Sequence, residues 1–383
     1  MTDHVGLRMR VVSLFSGIGG FELGLSRAGH ETVLMCESDD LARSVLHHRF
    51  PGITIRRDVR ALKQLPVCDI LTAGWPCQDL SQAGRTAGLN GRSSGLISEV
   101  FRVIEASKHK PEYVLLENVA FSLHLHGGAA LKYVTTNLER LGYRWAYRIL
   151  DSRQFGVPQR RRRVFILGSR KVLPQTILFR GASEAANIDQ PTADMFGFYW
   201  TEGNTGLGWS PGAVPPLKGG SSLSIPSPPA IWDKRSRSFL TPGISDAERM
   251  QGFPSGWTAV GALKSKKKRG RWKLVGNAVS VPVVEWIGRG FLKNEEVKYE
   301  APVSRTFTKS ANAAFGEKDK PHLYFCFEHE GSDAPTIGTL EDFQLNDAAE
   351  LSARAASGFL SRIEKSSLKT HPNFIPDLRN FVS

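Results

Sequence analysis

Short apolar runs alternate with helix-like stretches over the first 170 residues, and this alternation limits the possible folds more than any other feature of the chain. Strands are predicted at residues 10–15, 31–37, 54–57, 70–73, 113–116 and 163–168. Helices are predicted at residues 20–28, 39–50, 97–108 and 129–141. Strands separated by helices of this length are typical of an α/β fold with a doubly wound parallel sheet.

The regular pattern ends near residue 170, and the rest of the chain divides by composition. Residues 171–238 are rich in Gly, Pro and Ser, which predicts a smaller, loop-rich domain. Its core is predicted from six aromatic residues: Phe196, Phe198, Tyr199, Trp200, Trp209 and Trp232. Helical patterns return at residues 245–251 and 281–291. Residues 294–383 form a C-terminal extension of unknown role, with a predicted helix at 346–365.

The overall composition is that of a globular protein, with 41% hydrophobic and 23% charged residues among 383. This composition excludes a disordered or collagen-like chain. The apolar runs are too short for a membrane span, so we expect no membrane partner. The four cysteines have neither zinc-site nor disulfide spacing, so we expect no metal site and a reducing compartment.

Positive charge is concentrated in the first 300 residues, which carry 41 basic and 26 acidic side chains, whereas the remainder carries nine and eleven. Two basic clusters stand out, at residues 160–163 and 264–273. A single basic run is usually a solvated loop. Two such runs in a chain with a formal net charge of +13 favour a nucleic-acid backbone as partner.

A glycine-rich turn, residues 15–21, follows the first predicted strand. Glycines at this point let the backbone approach a ligand at the carboxyl edge of the sheet. Glu22 stands where a dinucleotide-binding G-x-G-x-x-G motif would have its last glycine, which favours a nucleoside ligand without a pyrophosphate. Glu37 follows the second strand, where it can accept from ribose hydroxyls, and Asp58 follows the third, where it can accept from an adenine amino group. These features together predict an adenosyl pocket.

The fourth predicted strand leads into a polar loop that contains Cys77, between Pro76 and Gln78. An isolated cysteine is usually a small buried hydrophobic residue. The position of Cys77 on a polar loop at the ligand-binding edge instead favours a nucleophile. A thiol with a pKa of about 8.5 is roughly 3% thiolate at neutral pH, and basic surroundings increase that fraction.

Glu117 follows the fifth predicted strand. A carboxyl group at the end of a buried strand can have a raised pKa and donate a proton. Because the fourth and fifth strands of a doubly wound sheet are neighbours, we expect Cys77 and Glu117 to converge beside the adenosyl pocket.

Six ordered blocks make the chain resemble the DNA (cytosine-5) methyltransferases over about residues 10–292. The blocks are the turn at 15–21, Pro76-Cys77-Gln78 with Ser81, Glu117-Asn118-Val119, residues 159–163, residues 248–254, and Gly276-Asn277-Ala278-Val279. The resemblance implies a Rossmann-like class I methyltransferase sheet. It assigns residues 1–170 to the first part of the catalytic domain, 171–238 to target recognition, and 239–293 to a DNA-contacting segment that returns to the catalytic domain.

The resemblance also implies the reaction: S-adenosylmethionine methylates carbon 5 of a cytosine flipped out of a specific sequence in double-stranded DNA. Cys77 would attack carbon 6, Glu117 would hold or protonate nitrogen 3, and Arg163 would contact the exocyclic oxygen. Arg161 would support a phosphate or Glu117. The implied cofactor contacts are Phe15, Ser16, Gly17, Ile18, Gly19, Gly20, Glu37, Asp58, Val59, Pro76, Leu96, Asn277 and Ala278.

DNA contacts are predicted in three regions. These regions are the loop after Cys77, a Leu-x-Gly-Gly element of the smaller domain and the second basic cluster. Their predicted contacts are Gln78, Ser81, Arg85 and Arg92 in the loop, Lys218, Gly219 and Gly220 in the element, and Lys266, Lys267 and Lys268 in the cluster. Arg180, Arg235 and Arg237 are further candidates to reach guanine edges or phosphates. Two positions depart from the family pattern: Ser38 replaces a bulky residue that packs on adenine, and Pro216 replaces a threonine.

Two alternatives remain at this point. A tRNA cytosine-5 methyltransferase would have the same catalytic blocks, and a catalytically inactive DNA-binding regulator would have the same fold. The separate recognition domain favours duplex DNA. We expect a cytoplasmic, nucleoid-associated monomer encoded by a bacterium or phage, and a restriction endonuclease is one candidate functional partner.

Overall fold

A computed structural model of the chain describes residues 8–75, 95–181, 193–202, 206–219, 228–260, 268–293, 304–327 and 338–383, except the side chains of residues 125, 126, 268 and 269. The chain divides into two compact units, each built from segments that are distant in sequence. The first unit comprises Met1–Asp151, Arg162–Ala186 and Val283–Asp333, and the second comprises Ser152–Arg161, Asn187–Pro282 and Ala334–Ser383. These bounds differ from those of the domains inferred from composition and resemblance.

Both units contain strands and helices, which are numbered in chain order and alternate through most of the first unit. The strands are β1 (Arg10–Leu14), β2 (Glu31–Cys36), β3 (Thr54–Arg56), β4 (Ile70–Gly74), β5 (Tyr113–Val119), β6 (Arg144–Asp151), β7 (Arg162–Ser169), β8 (Met195–Phe198), β9 (Ser210–Pro211), β10 (Ala230–Asp233), β11 (Ser238–Thr241), β12 (Ala313–Gly316), β13 (Leu323–Phe325) and β14 (Ala349–Glu350). The helices are α1 (Gly20–Arg27), α2 (Asp40–Arg49), α3 (Gly95–Ala106), α4 (Ala129–Arg140), α5 (Gln175–Leu178), α6 (Ile244–Met250), α7 (Lys268–Asn277), α8 (Val281–Gly290), α9 (Ala353–Ile363) and α10 (Phe374–Val382).

The described part of the first unit contains one large sheet of nine strands in the order β13-β12-β6-β7-β5-β4-β1-β2-β3. The five strands from β3 to β5 run parallel, and β7 pairs antiparallel with β5. The strand order reverses between β1 and β4. In an open α/β sheet, ligands bind outside the carboxyl ends of the strands at such a reversal.

The buried faces explain why these segments form strands and helices. Four of the five residues of β1 are buried, as expected of a strand covered on both faces. Helix α2 begins after Asp39, whose carboxylate accepts hydrogen bonds from the backbone N–H groups of Leu41 and Ala42 and so caps the helix. Helix α3 buries Ile97, Val100 and Phe101, among others, in the main core beside β4 and β5.

The six strands and four helices predicted in the first 170 residues are confirmed to within a few residues. Three strands of the large sheet, β6, β12 and β13, were not predicted. Strand β5 is also longer than predicted, so Glu117, Asn118 and Val119 belong to the strand itself. The large sheet is therefore parallel on one side and antiparallel on the other.

The second unit has a smaller sheet in the order β14-β11-β10-β8-β9 and an aromatic core. The predicted core residues Phe196, Phe198 and Trp232 are buried there, and Trp200 and Trp209 pack against them. Much of this core comes from the C-terminal extension, which contributes Leu351, Ala356, Phe359, Ile363, Phe374 and Leu378. The helix predicted at 346–365 is shorter, and α10 was not predicted. Residues 338–383 therefore form an integral part of the second unit.

None of the helices in the described ranges has the length and apolar character needed to cross a membrane.

Candidate active site

The glycine-rich turn after β1 has a backbone that few residue types allow. Phe15, Gly17 and Gly19 have φ angles of 57°, 56° and 91°, in the left-handed region. A Cβ atom on Gly19 would overlap the ring of Phe50, whereas one on Gly17 would meet no atom within 4 Å. The backbone at Gly17 is therefore open to a ligand, as the sequence predicts for an adenosyl pocket.

The Glu37 carboxylate lies directly beside this turn. It accepts a hydrogen bond of 2.8 Å from the backbone N–H of Gly17 and another of 2.8 Å from that of Asp39. These two bonds fix the carboxylate and attach the end of β2 to the turn after β1. Each carboxylate oxygen has a second lone pair, so Glu37 can also accept from the two hydroxyls of a ribose.

Asp58, Val59 and Leu96 are the other described residues of the first unit that were predicted to bind the cofactor. Asp58 accepts from the backbone N–H of Arg60 at 3.0 Å, and this bond, together with the Arg60 side chain, lowers the pKa of Asp58. Asp58 is therefore an anionic acceptor at neutral pH. Val59 is buried, and Leu96 is half-buried against the same core.

The ends of β4 and β5 lie side by side, with Gly74 directly opposite Glu117. One carboxylate oxygen of Glu117 lies 3.2 Å from Nε of Arg163, and both side chains are largely buried, at 12% and 15% exposure. A Cβ atom on Gly74 would lie 3.3 Å from the other carboxylate oxygen. The absence of a side chain at Gly74 therefore leaves room for the Glu117 carboxylate. The ion pair with Arg163 was not predicted, because the resemblance gave Arg161 as the support of Glu117.

Asn118 connects the same two strand ends. Its side-chain amide donates a hydrogen bond of 3.2 Å to the carbonyl of Trp75, and its side-chain oxygen accepts from the backbone N–H of Val119 at 2.8 Å. Trp75 lies two residues before Cys77, so Asn118 holds the backbone that enters the predicted nucleophile loop. Sequence reasoning named the Glu-Asn-Val block but did not assign this role to Asn118.

Several predicted site residues lie outside the described residues. They are Pro76, Cys77, Gln78, Ser81, Arg85, Arg92, Gly220, Lys266 and Lys267. Lys268 begins α7, but its side chain is not described.

Glu22 is a buried carboxylic acid on the first turn of α1, immediately after the glycine-rich turn. Its side chain is 0% exposed, and burial raises its pKa, an effect opposed by the neighbouring hydroxyl groups of Ser13 and Ser16. No ion-pair partner of Glu22 is found among the described residues. The sequence marked Glu22 only as a departure from a dinucleotide-binding motif.

In the second unit, polar residues from several motif blocks meet in a buried hydrogen-bond network. Arg161 donates to the carbonyls of Gly276 and Ala278, at 3.2 and 2.8 Å. Gln159 donates to the carbonyl of Met250 at 3.0 Å and accepts from the backbone N–H of Leu217 at 3.0 Å. These bonds hold the predicted cofactor-binding residue Ala278 and the Leu-x-Gly-Gly element in place, because buried backbone groups need such partners.

The Leu-x-Gly-Gly element packs closely against α7. A Cβ atom on Gly219 would lie 3.2 Å from the Cα atom of Lys273. Lys218 forms an ion pair with Glu202, and its ammonium group lies 3.7 Å from the centre of the Tyr199 ring. Lys218 thus has protein partners in this structure, and its DNA contact remains a prediction.

The prediction that Arg180 reaches DNA is wrong. Arg180 belongs to the first unit, is only 4% exposed, donates to the carbonyls of Ile177 and Trp286, and stacks on the Trp286 ring. Arg235 and Arg237 are 76% and 74% exposed on the turn between β10 and β11. The sequence could not separate these arginines, because burial depends on the tertiary fold.

The fold and the site are those of a methyltransferase, and a comparison with solved structures supports this class. The crystal structure of the S. pombe Dnmt2 methyltransferase matches with a TM-score of 0.56 at 17% sequence identity, covering 74% of this chain and 98% of that one. The fold is therefore that of a Rossmann-like methyltransferase, as the sequence predicted.

The sequence comparisons identify the family. A family model described as C-5 cytosine-specific DNA methylase matches residues 9–197. The Type II methyltransferase M2.BsuMI of Bacillus subtilis (strain 168) is 44% identical over 366 residues, covering 92% of this chain and 93% of the relative. The Type II methyltransferase M.Bsp6I of Bacillus sp. (strain RFL6) is 28% identical, covering 75% and 99%. The chain belongs to the C-5 cytosine-specific DNA methylase family: it is a DNA (cytosine-5) methyltransferase that uses S-adenosylmethionine.

Proposed function

We propose that this methyltransferase acts on a cytosine flipped out of a specific duplex DNA sequence, through a covalent adduct of Cys77. The observation that carries the proposal is the pairing of Gly74 with Glu117 at the carboxyl ends of β4 and β5, with Arg163 beside Glu117. Cys77 follows Gly74 by three residues in the sequence, so the nucleophile is proposed to lie near Glu117 at these strand ends.

Glu117 and Arg163 are proposed to bind the polar edge of the flipped cytosine. The Glu117 carboxyl group holds or donates a proton at ring nitrogen 3, and the Arg163 guanidinium donates to the exocyclic oxygen. Both groups are largely buried, so their charges act on the base with little screening by water. They withdraw electron density from the ring as sulfur approaches carbon 6.

Cys77 is proposed to be the one protein group that forms a covalent bond to the base. The Cys77 thiolate would form a bond to carbon 6, and the electron pair displaced onto carbon 5 would take the methyl group of the sulfonium, whose sulfur would keep the bonding pair and leave as a neutral thioether. A base, which we take to be water, then removes the carbon 5 proton, and the carbon–sulfur bond breaks to return the thiolate. Unstacking and unpairing the cytosine costs a few kcal/mol, which contacts to the base and backbone must offset.

The turn after β1 and Glu37 are suited to the nucleoside part of S-adenosylmethionine. This cofactor supplies an electrophilic methyl group on a sulfonium when bound. The open face at Gly17 leaves room for it, Glu37 accepts from the ribose, and the anionic Asp58 accepts from the adenine amino group. Phe15, Ser16, Ile18, Gly19, Gly20, Val59, Pro76, Leu96, Asn277 and Ala278 complete the proposed cofactor contacts.

Duplex DNA is proposed to contact the loop after Cys77, the Leu-x-Gly-Gly element and the basic run at residues 264–273. Residues 268–273 of the run form the first part of α7. Clustered positive side chains suit backbone phosphates rather than bases. The Type II names of the bacterial relatives favour a role alongside a restriction endonuclease. The enzyme is further proposed to work as a monomer in the cytoplasm, associated with the nucleoid.

The proposal is tested by trapping the adduct. Duplex DNA and tRNA that contain 5-fluorocytosine are offered with methyl-labelled S-adenosylmethionine, because fluorine at carbon 5 cannot leave as a proton. We expect a denaturation-resistant protein–DNA complex with the wild type and with Cys326→Ala, whose thiol is exposed elsewhere in the first unit, but none with Cys77→Ala. An adduct on tRNA alone would contradict the DNA substrate, and no adduct on either would favour the inactive regulator.

A further inference from the structure

Phe121 is a large apolar side chain that the fold leaves in water. Its side chain is 67% exposed, and it is the one aromatic residue among the strongly exposed large hydrophobic residues of the described chain. It lies on the 3-10 turn Ala120–Leu123, whose other large apolar residue, Leu123, is 1% exposed in the core. The turn therefore buries one of its two large apolar side chains and presents the other.

The position of Phe121 relates it to the reaction. The turn continues directly from β5, four residues after Glu117, at the carboxyl edge where the cofactor turn and the catalytic pair lie. Strand β7 runs antiparallel to β5 with Arg163 opposite Val119, so β7 begins at this same edge, and exposed Arg162 precedes Arg163. An aromatic ring thus stands on an edge that also carries positive charge.

We propose that Phe121 packs against duplex DNA and stacks on a base whose face is uncovered when the target cytosine is flipped out. The inference rests on the proposed function, because base flipping uncovers the faces of bases that were stacked on the cytosine. Base faces are apolar π surfaces, and an aromatic side chain stacks on them without regard to sequence. Aromatic and apolar wedges at unstacked steps are a recurrent means of holding distorted DNA.

Stacking makes a prediction that a phosphate contact does not. Loss of one base–aromatic stack weakens DNA binding by roughly 5- to 150-fold. Because a phenyl ring releases no counterion, the slope of log affinity against log salt concentration stays unchanged. Phe121→Ala should therefore raise the KM for DNA at every salt concentration by a similar factor, and the Kd for S-adenosylmethionine should stay as in the wild type.

The experiment measures labelled methyl transfer into genomic DNA from a host that lacks the enzyme, over a series of salt concentrations. Phe121→Trp keeps an aromatic face and should restore the wild-type KM. Val67→Ala is the matched control, because Val67 is also exposed, at 55%, but precedes the amino end of β4.

The outcomes separate the inference from the proposed function. A wild-type enzyme that transfers no methyl group to DNA would refute the function itself. An active wild type with an unchanged KM for DNA in Phe121→Ala would overturn the stacking role, as would a changed salt slope or weakened cofactor binding in that variant. A raised KM that is rescued by Phe121→Trp and absent in Val67→Ala is the result expected.

Discussion

Replacing Phe374 by alanine tests whether the C-terminal extension is a structural part of the second unit. Phe374 begins α10 and is fully buried. Its ring centre lies 4.9 Å from that of Trp209, 5.1 Å from that of Phe198 and 5.4 Å from that of Trp232. Residue 374 therefore occupies the middle of the aromatic core predicted from residues 196–232.

The expected destabilisation follows from this burial. Removing a buried phenyl ring forfeits its transfer free energy and leaves a cavity, for a combined loss of about 3–5 kcal/mol. The rigid aromatic neighbours limit collapse of the cavity, which favours the upper half of that range. Since a typical domain is stable by about 5–15 kcal/mol, the second unit of Phe374→Ala would be close to unfolding.

The assay must distinguish the two units, because one unfolding free energy does not describe a chain with two compact parts. Hydrogen–deuterium exchange read by mass spectrometry reports each peptide separately. We expect faster exchange in β8, β10, β11 and α9 of Phe374→Ala, and unchanged exchange in β1 and β4. Leu292→Ala, half-exposed in the first unit, should change stability by no more than about 0.5 kcal/mol.

The result that would refute the reasoning is wild-type exchange throughout the second unit of Phe374→Ala. It would mean that the extension lies on a core that is complete without it. DNA methylation should fail in this variant at temperatures where β1 and β4 still exchange as in the wild type, because the Leu-x-Gly-Gly element and Ala278 belong to the second unit.

Two further perturbations test the buried groups near the motif blocks. Burial raises the pKa of Glu22 above its ordinary value of 4.5, so the stability that Glu22 contributes falls as the pH rises from that value through the pKa of the folded state. The free energy of unfolding of Glu22→Gln, measured in urea, should therefore rise relative to that of the wild type over this pH range. A difference between the two proteins that does not change with pH would contradict this direction. A Cβ atom on Gly276 would lie 2.7 Å from backbone atoms of Lys218 and Gly219, so Gly276→Ala should destabilise the protein by about 1–3 kcal/mol in thermal unfolding. Gly358→Ala is the matched control, because Gly358 lies inside α9 and a Cβ atom there would meet only the end of the Arg362 side chain. It should stabilise the protein by about 0.5–1 kcal/mol. Equal effects of Gly276→Ala and Gly358→Ala would refute the packing argument.

The sequence was sufficient to predict the parallel half of the sheet and the residues at its carboxyl edge. Alternating apolar runs and helical patterns reflect local periodicity, which a single sequence displays directly. The glycine-rich turn, Glu37 and Glu117 could be placed because each follows a predicted strand, and parallel strands end at one edge. The ion pair of Glu117 with Arg163 could not be predicted, because it depends on the antiparallel pairing of β7 with β5.

The tertiary structure alone decided the features that depend on distant partners. Strand β6 was missed because its sequence contains Arg148, a residue atypical of a buried strand, yet Arg148 is 1% exposed and donates to the carbonyls of Leu178 and Arg180. Likewise, no local pattern connects Phe374 to Trp232, which lies 142 residues earlier in the chain but shares its core. Periodicity shows which face of a segment is apolar, whereas the partner that covers that face is chosen by the fold of the whole chain.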